Sequence, residues 1–232
     1  PADGAVTLTN VTAERGGLTL VGPKARDILQ DLVEGDLSNE AFPGMSAQSL
    51  TVALASDVRM MRINYEGELG WELYHPIAYN LHLFEEICRA GEAHGLKHCG
   101  YRAIESLRLE KSYRAIYRDL DVEHTALEAG LDRFIKRDKD QFVGLQALLK
   151  QRDAGLEYKM VALKVETVDA DAWMNESVFR NERLVGRITS GATSHNIGNC
   201  LSMAYVEIDQ AEPGTQLEVQ VLERRVPAIV IA

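Results

Sequence analysis

Residues 64–76 read NYEGELGWELYHP, and this stretch belongs to a pattern that is typical of two neighbouring strands. The overlapping run MRINY (61–65) alternates apolar and polar residues, which is typical of a half-buried strand. A tight Glu-Gly turn then leads into a second strand, LGWELYHP. Because side chains alternate across a strand, Trp71 and Leu73 are predicted on one face and Glu72 on the other. The stretch therefore predicts a β-hairpin that carries a carboxylate opposite its apolar face.

Further strands and helices are predicted on both sides of this hairpin. Upstream, AVTLTNV and LTLVG are strand-like, and KARDILQDLVEG has the apolar spacing of a helix. Downstream, residues 79–95 predict an amphipathic helix whose apolar side consists of Leu81, Phe84, Ile87 and Cys88. Another helix is predicted over 101–113, and we expect its charged Arg108 and Glu110 to be paired or in water. The first part of the chain is thus predicted to be α+β.

The sequence becomes polar near residues 150–158, which predicts a linker there. Beyond it lie only short strand-like runs separated by Asn-Glu, Gly and Pro-Gly turns, the spacing of a small antiparallel barrel or sandwich. We therefore predict two domains, an α+β domain over residues 1–153 and an all-β domain over residues 154–232.

The composition limits the classes of function. The 232-residue chain is 46% hydrophobic, which is enough to bury a real core. It contains no apolar run near the roughly 18–20 residues of a membrane helix, so we predict no membrane partner. The formal charge of -10 disfavours nucleic acid, because a polyanion is attracted by basic surface. Three cysteines without a CxxC pair favour a reducing compartment. We predict the cytoplasm, with the mitochondrial matrix as the alternative.

Three other motifs are weak candidates for a site. His94 and His98 have helical spacing and stand near Cys99, but a fourth ligand is missing at a familiar interval, so we predict no metal. Ser194 and His195 lack the sequence context of a nucleophile and its base. The glycines of RITSGATSHNIGNC do not follow the strand-to-helix order of a dinucleotide site.

Glu72 is the strongest candidate for binding a ligand. A carboxylate accepts hydrogen bonds at two oxygens, and the aminopyrimidine edge of a pterin presents two adjacent donors. Gly70, on the same face, is predicted to leave room for a flat ring, and Tyr65 across the turn can add an aromatic wall. The competing interpretation is a surface glutamate beside a core tryptophan, which the spacing also fits.

Six motifs occur in one order along nearly the whole chain: GELGWEL (67–73), GYRAIESLRLEK (100–111), DLDVEHTALEAGL (119–131), FVGLQAL (142–148), RLVGRITSG (183–191) and EPGTQLEV (212–219). In order and spacing they resemble the glycine-cleavage T-protein (aminomethyltransferase) family. The SLRLEK motif, followed by Tyr-Arg and the acidic DLD stretch, is most similar to the folate-binding C-terminal part of dimethylglycine and sarcosine dehydrogenases. The resemblance implies a T-protein-like folate-binding α+β fold, with its N-terminal part incomplete, followed by a small antiparallel β-barrel.

The resemblance also implies a cofactor and a reaction. Tetrahydrofolate is expected in a central channel, with its pterin held by Glu72 and flanked by Tyr65. A one-carbon unit is expected to be captured as 5,10-methylenetetrahydrofolate, coupled to flavin-dependent demethylation of dimethylglycine or sarcosine. The expected partner is a flavin-dependent oxidoreductase domain or subunit, which would hold FAD, because this sequence lacks a flavin-binding fingerprint.

The chain departs from the family pattern at three points. Ile104 and Glu212 stand where the family has arginines that face the anionic tail of the cofactor. The substitutes that we consider are Arg102, Arg108 and Arg187. The aspartate that assists transfer is expected in a segment upstream of Pro1, so no catalytic residue is assigned.

The sequence thus predicts four cofactor-binding residues, namely Glu72, Tyr65, Trp71 and Arg102. Two other functions stay open at this point. One is a noncatalytic folate-binding module, and the other is a folate-dependent methyltransferase of the sulfonium demethylase type.

Overall fold

The computed structural model of the protein describes residues 4–136, 138–167 and 169–231. The chain folds as two units, Pro1–Cys99 and Gly100–Ala232. The domain boundary predicted from the sequence, between residues 153 and 154, differs from this division of the chain. It remains a prediction. Each helix in the described ranges is too short or too polar to cross a membrane.

The first unit is built on a four-stranded antiparallel sheet. Its strands are β1 (Arg15–Val21), β2 (Ala47–Val52), β3 (Ala55–Met61) and β4 (Gly70–Pro76), and its helices are α1 (Ala25–Gln30) and α2 (Asn80–Gly91). Short 3₁₀ turns over Ile77–Tyr79 and Glu92–His94 flank α2. The strands pair in the order β1-β4-β3-β2. The strand that carries Glu72 is therefore held between two neighbours.

The core of the first unit lies on one face of this sheet. Side chains from α1 and α2 join strand residues there, among them Ile28, Leu29, Val58, Leu73, Leu83 and Ile87. The predicted apolar side of α2 is partly wrong, because Leu81 is 66% exposed and Phe84 is 42% exposed. The buried stripe instead runs through Leu83, Ile87 and Gly91 at four-residue spacing.

The second unit contains a closed antiparallel barrel of six strands. They are β5 (Tyr158–Val165), β6 (Ser177–Arg180), β7 (Arg183–Ser194), β8 (Asn199–Glu207), β9 (Gln216–Val221) and β10 (Arg224–Ile231), in the order β10-β5-β8-β7-β6-β9. Alternate residues fill its interior, including Leu163, Val178, Ile188, Val206 and Val219. The predicted C-terminal barrel is confirmed.

Helices α3 (Tyr101–Glu110) and α4 (Leu145–Ala154) precede the barrel, and 3₁₀ turns span Asp132–Phe134 and Ile208–Gln210. Hydrogen bonds tie α3 to β7, since Ser106 Oγ donates to the Thr193 carbonyl at 2.8 Å and Ser194 Oγ donates to Glu110 Oε1 at 2.6 Å. These bonds explain why α3 groups with the barrel rather than with the four-stranded sheet.

Candidate cofactor-binding site

Glu72 lies in the middle of β4, on the face of the sheet opposite the core. Its neighbours in register are Thr19 on β1 and Met61 on β3. Trp71 and Leu73, on either side of it in sequence, are completely buried, whereas Glu72 itself is half-buried. The predicted alternation is confirmed, and it leaves the carboxylate on the more open face of the sheet.

The Glu72 carboxylate has one hydrogen-bond donor in its own strand. The Tyr74 hydroxyl donates to Glu72 Oε2 at 2.6 Å. This bond, with help from burial and from the negative charge, raises the pKa of Tyr74 above its ordinary value of 10.0. Tyr74 therefore stays a neutral donor at physiological pH. Sequence reasoning missed this residue, although its i, i+2 spacing from Glu72 puts the two on one face.

Gly70 does not provide open space for a ring, which corrects the interpretation drawn from the sequence. A Cβ at this position would lie 2.6 Å from Val21 Cγ1 and 2.9 Å from the Leu20 carbonyl oxygen. The glycine instead allows β1 and β4 to approach closely. On this face the exposed Thr19 of β1 is the register neighbour of Glu72.

Tyr65 lies in a loop over residues 62–69 and not in a strand. The predicted tight turn is wrong, because β3 already ends at Met61. The loop is organised by side chains: Asn64 Oδ1 accepts from the Gly67 amide at 2.7 Å, and Glu66 Oε2 accepts from the Tyr65 amide at 2.9 Å. Such local bonds offer the backbone an alternative to the ladder of a sheet. The half-buried Tyr65 thus sits in the loop that leads directly into the strand of Glu72.

Trp71 belongs to the core and faces away from Glu72. Its ring contacts Phe42 edge-on, with centroids 6.1 Å apart, and the guanidiniums of Arg26 and Arg62 lie 5.8 and 5.7 Å from its ring centre. Arg62 also donates to the Phe42 carbonyl at 2.6 Å. Trp71 therefore packs in the core and stabilises β4 from the face opposite the Glu72 carboxylate.

Arg102 lies in the first turn of α3, in the second unit, and 80% of its side chain is exposed. Its guanidinium lies 5.5 Å from the ring centre of Trp173, and its Nη1 lies 3.8 Å from Asp171 Oδ2. These three residues line a cavity of about 590 Å³, together with Tyr101, Thr193 and His195. Sequence reasoning missed Trp173, whose contact with Arg102 depends on the tertiary fold.

The two other arginines considered for the cofactor tail are already engaged. Arg108 is completely buried and pairs with Glu105 at 2.8 Å and with Asp119 at 2.7 Å. Arg187 pairs with Asp121 at 2.8 Å and with Glu123 at 3.3 Å. Of these three substitutes for the family arginines, Arg102 is thus the most exposed.

The surroundings of Arg108 explain how a charged helix can face the barrel. Burial alone would raise the pKa of Glu105, but hydrogen bonds and charge from Arg108 and Arg118 hold that pKa below its usual value of 4.5. Glu105 is therefore ionised at neutral pH and pairs with both guanidiniums. The sequence predicts that Arg108 is either paired or in water, and the structure confirms that it is paired.

One group of potential metal ligands occurs among the described residues. Ligand atoms of Asp121, Glu123 and His124 lie within 4.8 Å of one another. His124 Nδ1 lies 3.0 Å from Asp121 Oδ1, and Arg187 pairs with both carboxylates. The Arg187 guanidinium offsets one of the two negative charges, and these side chains form an ion-pair network.

Comparison with known proteins places this architecture in a family. Residues 1–139 match the family model described as GCVT N-terminal domain, and residues 159–232 match the glycine cleavage T-protein C-terminal barrel domain. The crystal structure of glycine cleavage system aminomethyltransferase T from Bartonella henselae is similar, with a TM-score of 0.81 and 27% identity. That match covers 94% of this chain and 58% of the other.

Two mitochondrial dehydrogenases are also similar in sequence. Dimethylglycine dehydrogenase of Homo sapiens is 40% identical over 227 residues, which are 97% of this chain and 26% of that protein. Sarcosine dehydrogenase of Mus musculus is 38% identical over 207 residues, which are 89% of this chain and 22% of that protein. The chain spans about a quarter of the length of these two relatives. It belongs to the glycine cleavage T-protein family, as an aminomethyltransferase-type domain related to dimethylglycine and sarcosine dehydrogenases.

Proposed function

We propose that this chain binds tetrahydrofolate through Glu72 and is the folate-dependent transferase component of a demethylation reaction. The observation that carries the proposal is the position of Glu72, a half-buried carboxylate on the side of β4 opposite the core. Glu72 Oε2 accepts a hydrogen bond from the Tyr74 hydroxyl at 2.6 Å, which restricts the orientation of the carboxylate. Such an oriented pair of oxygens fits the two adjacent donors of a pterin edge.

Tyr65 and Trp71 complete this part of the proposal in different ways. Tyr65 lies in the loop that enters β4, and its aromatic ring can form a wall for a flat heterocycle. Trp71 is buried on the other side of the strand, so its role is to hold the backbone of Glu72 in place. We therefore propose direct contact for Glu72 and Tyr65, and support for Trp71.

The anionic tail of the cofactor requires a cation on a chain whose formal charge is -10. We propose Arg102 for this contact, because most of its side chain is exposed and its ion pair with Asp171 is long, at 3.8 Å. The neighbouring Trp173, 51% exposed, offers an aromatic surface in the same cavity. Arg102 can thus contact a carboxylate without leaving a buried partner uncompensated.

When bound, tetrahydrofolate would supply two nucleophilic nitrogens that capture a methylene unit carried by the amine, so that 5,10-methylenetetrahydrofolate forms and the demethylated amine is released. The residues of this chain bind and orient that cofactor, and such positioning is a large part of what a protein contributes to group transfer. The relatives named dimethylglycine and sarcosine dehydrogenase support coupling to the demethylation of one of these amines. We propose that FAD and its oxidoreductase partner are provided by a separate domain or subunit.

Binding is tested by titrating the 232-residue chain with tetrahydrofolate and following tryptophan fluorescence. The Glu72→Gln variant should bind more weakly by about 1–3 kcal/mol, because it removes a charge-assisted contact at nearly constant shape. Glu68→Gln, which changes an exposed carboxylate in the preceding loop, is the matched control. Equal affinity of the wild type and Glu72→Gln would refute the assigned contact.

Turnover needs a second experiment with the flavoprotein partner. Dimethylglycine or sarcosine is supplied with the partner, tetrahydrofolate and this chain, and 5,10-methylenetetrahydrofolate is measured. The proposal predicts formation that depends on the chain and falls with Glu72→Gln. Because no catalytic residue is assigned to this chain, tight folate binding without any such product would contradict the transferase role of these 232 residues and leave their binding role intact.

A further inference from the structure

Tyr74 contacts Glu72, the proposed pterin ligand, on the face of the sheet that is turned away from the core. The two side chains are separated by Leu73, which is completely buried, while Tyr74 is 42% exposed. The hydroxyl donates to Glu72 Oε2 at 2.6 Å, a short distance typical of a hydrogen bond to a charged oxygen. Both members of the pair therefore belong to one strand.

The glycine opposite Tyr74 helps to place its ring. Gly17 on β1 is the register partner of Tyr74. A Cβ on Gly17 would lie 3.7 Å from Tyr74 Cε1, so the ring lies against the glycine at ordinary contact distance. A longer side chain at this position would compete with the ring for the same space. The neighbouring strand thus accommodates the orientation in which the hydroxyl reaches Glu72.

One donor on Glu72 leaves room for a ligand. An ionised carboxylate offers about four acceptor positions on its two oxygens. Tyr74 uses one of them, on Oε2, and a two-donor heterocycle needs one on each oxygen. Ligand and tyrosine can therefore be bound at the same time, and the tyrosine restricts rotation of the carboxylate before the ligand arrives.

We propose that Tyr74 is a positioning residue, which fixes the plane of the Glu72 carboxylate for recognition of a two-donor heterocyclic edge. The inference rests on the proposed function of Glu72 and adds a residue that acts through it. Tyr74 affects the affinity because its hydroxyl restricts the rotation of the Glu72 carboxylate before the ligand binds. The hydroxyl itself need not contact the ligand.

The test is a double-mutant cycle on tetrahydrofolate binding. Tyr74→Phe keeps the ring and removes the donor, and it should weaken binding by about tenfold. In a Glu72→Gln background the same change should have little further effect, because the hydroxyl acts through the carboxylate. Tyr79→Phe changes a half-buried tyrosine in the 3₁₀ turn before α2; it is the matched control and should bind like the wild type.

A spectroscopic measurement checks the same contact without the cofactor. The alkaline titration of Tyr74, followed by NMR of labelled tyrosine rings, should shift toward that of an ordinary tyrosine in Glu72→Gln. Unchanged binding by Tyr74→Phe, equal losses in both backgrounds, or an unshifted titration would each overturn the positioning role. If Glu72→Gln binds as tightly as the wild type, the proposed function fails instead, so the two failures are distinguishable.

Discussion

The Arg108 guanidinium and the Asp119 carboxylate form an ion pair of 2.7 Å in which neither side chain is exposed to solvent. Asp119 also accepts hydrogen bonds from the Ser190 hydroxyl at 2.6 Å, from the Thr189 hydroxyl and from the Ala115 amide at 2.8 Å. Helix α3, the loop that follows it and strand β7 are thus joined at one carboxylate. A buried charge needs this degree of compensation, because its desolvation is costly.

Removal of that carboxylate should destabilise the second unit strongly. Asp119→Asn takes one of two counter-charges from the buried Arg108, and we expect the free energy of unfolding to fall by about 3–5 kcal/mol. Urea denaturation monitored by circular dichroism provides the measurement. Ser190→Ala, which removes only one neutral donor, should cost about 1 kcal/mol. A loss below that of Ser190→Ala would show that the ion pair contributes little.

Asp121 should make stability depend on pH in the acid range. Burial alone would raise its pKa, but hydrogen bonds from His124, from the Glu123 amide and from Arg187 lower that pKa from 3.8 to about 2. Because the folded-state pKa is the lower one, the stabilisation is present above about pH 4 and is lost as the pH falls through about 2.

The pH effect is measured by urea denaturation at about pH 5 and near pH 2 in the wild type and in Asp121→Asn. Between these conditions the wild type should lose about 1 kcal/mol more than the variant, after allowance for solvent screening. Other carboxylates affect both proteins alike, so the difference isolates Asp121. Identical losses in the two proteins would contradict the assignment.

Gly70 should matter for packing and not for the ligand directly. A methyl group there would be forced against Val21 and the backbone of Leu20, so Gly70→Ala should lower the free energy of unfolding by about 1–3 kcal/mol. Gly44→Ala, at a position with open space around the added carbon, is the control. The folded fraction of Gly70→Ala should still bind tetrahydrofolate. If the variant instead has normal stability and does not bind, the interpretation that Gly70 makes room for the ring is favoured.

Arg102 should affect the tail of the cofactor and not its ring. Arg102→Gln should weaken tetrahydrofolate binding by about 0.5–1 kcal/mol, the range of an exposed ion pair, and the loss should shrink as salt is added. A reduced pterin without a tail should bind the variant and the wild type equally. Arg152→Gln, an exposed arginine on α4, is the matched control. Equal weakening for both ligands would argue against a role in tail binding.

Local periodicity is enough to predict much of the fold. The alternation around Trp71 and Leu73 correctly separates the core face of β4 from the face of Glu72. The spacing of the short strands after residue 158 correctly predicts an antiparallel barrel or sandwich, and the family resemblance correctly selects the barrel. Tyr74 lies two residues beyond Glu72, so the alternation of side chains along β4 also predicts that the two residues share a face.

Other features depend on tertiary packing that a single sequence does not contain. Helix α2 carries two overlapping apolar stripes, and the close approach of Leu96 to Gly91 lies on the buried one. The predicted hairpin turn is replaced by a loop because Asn64 and Glu66 bind backbone amides in place of strand partners. The cavity beside Arg102 joins residues from α3 and from the segment before β6, which are far apart in sequence.

A crystal structure with tetrahydrofolate would show whether the two oxygens of Glu72 receive the two donors of a pterin ring. We expect the ring nitrogen and the exocyclic amine each to lie within about 3.2 Å of one carboxylate oxygen, with the Tyr74 hydroxyl still bound to Oε2. A cofactor held elsewhere, with this carboxylate turned to solvent, would contradict the account.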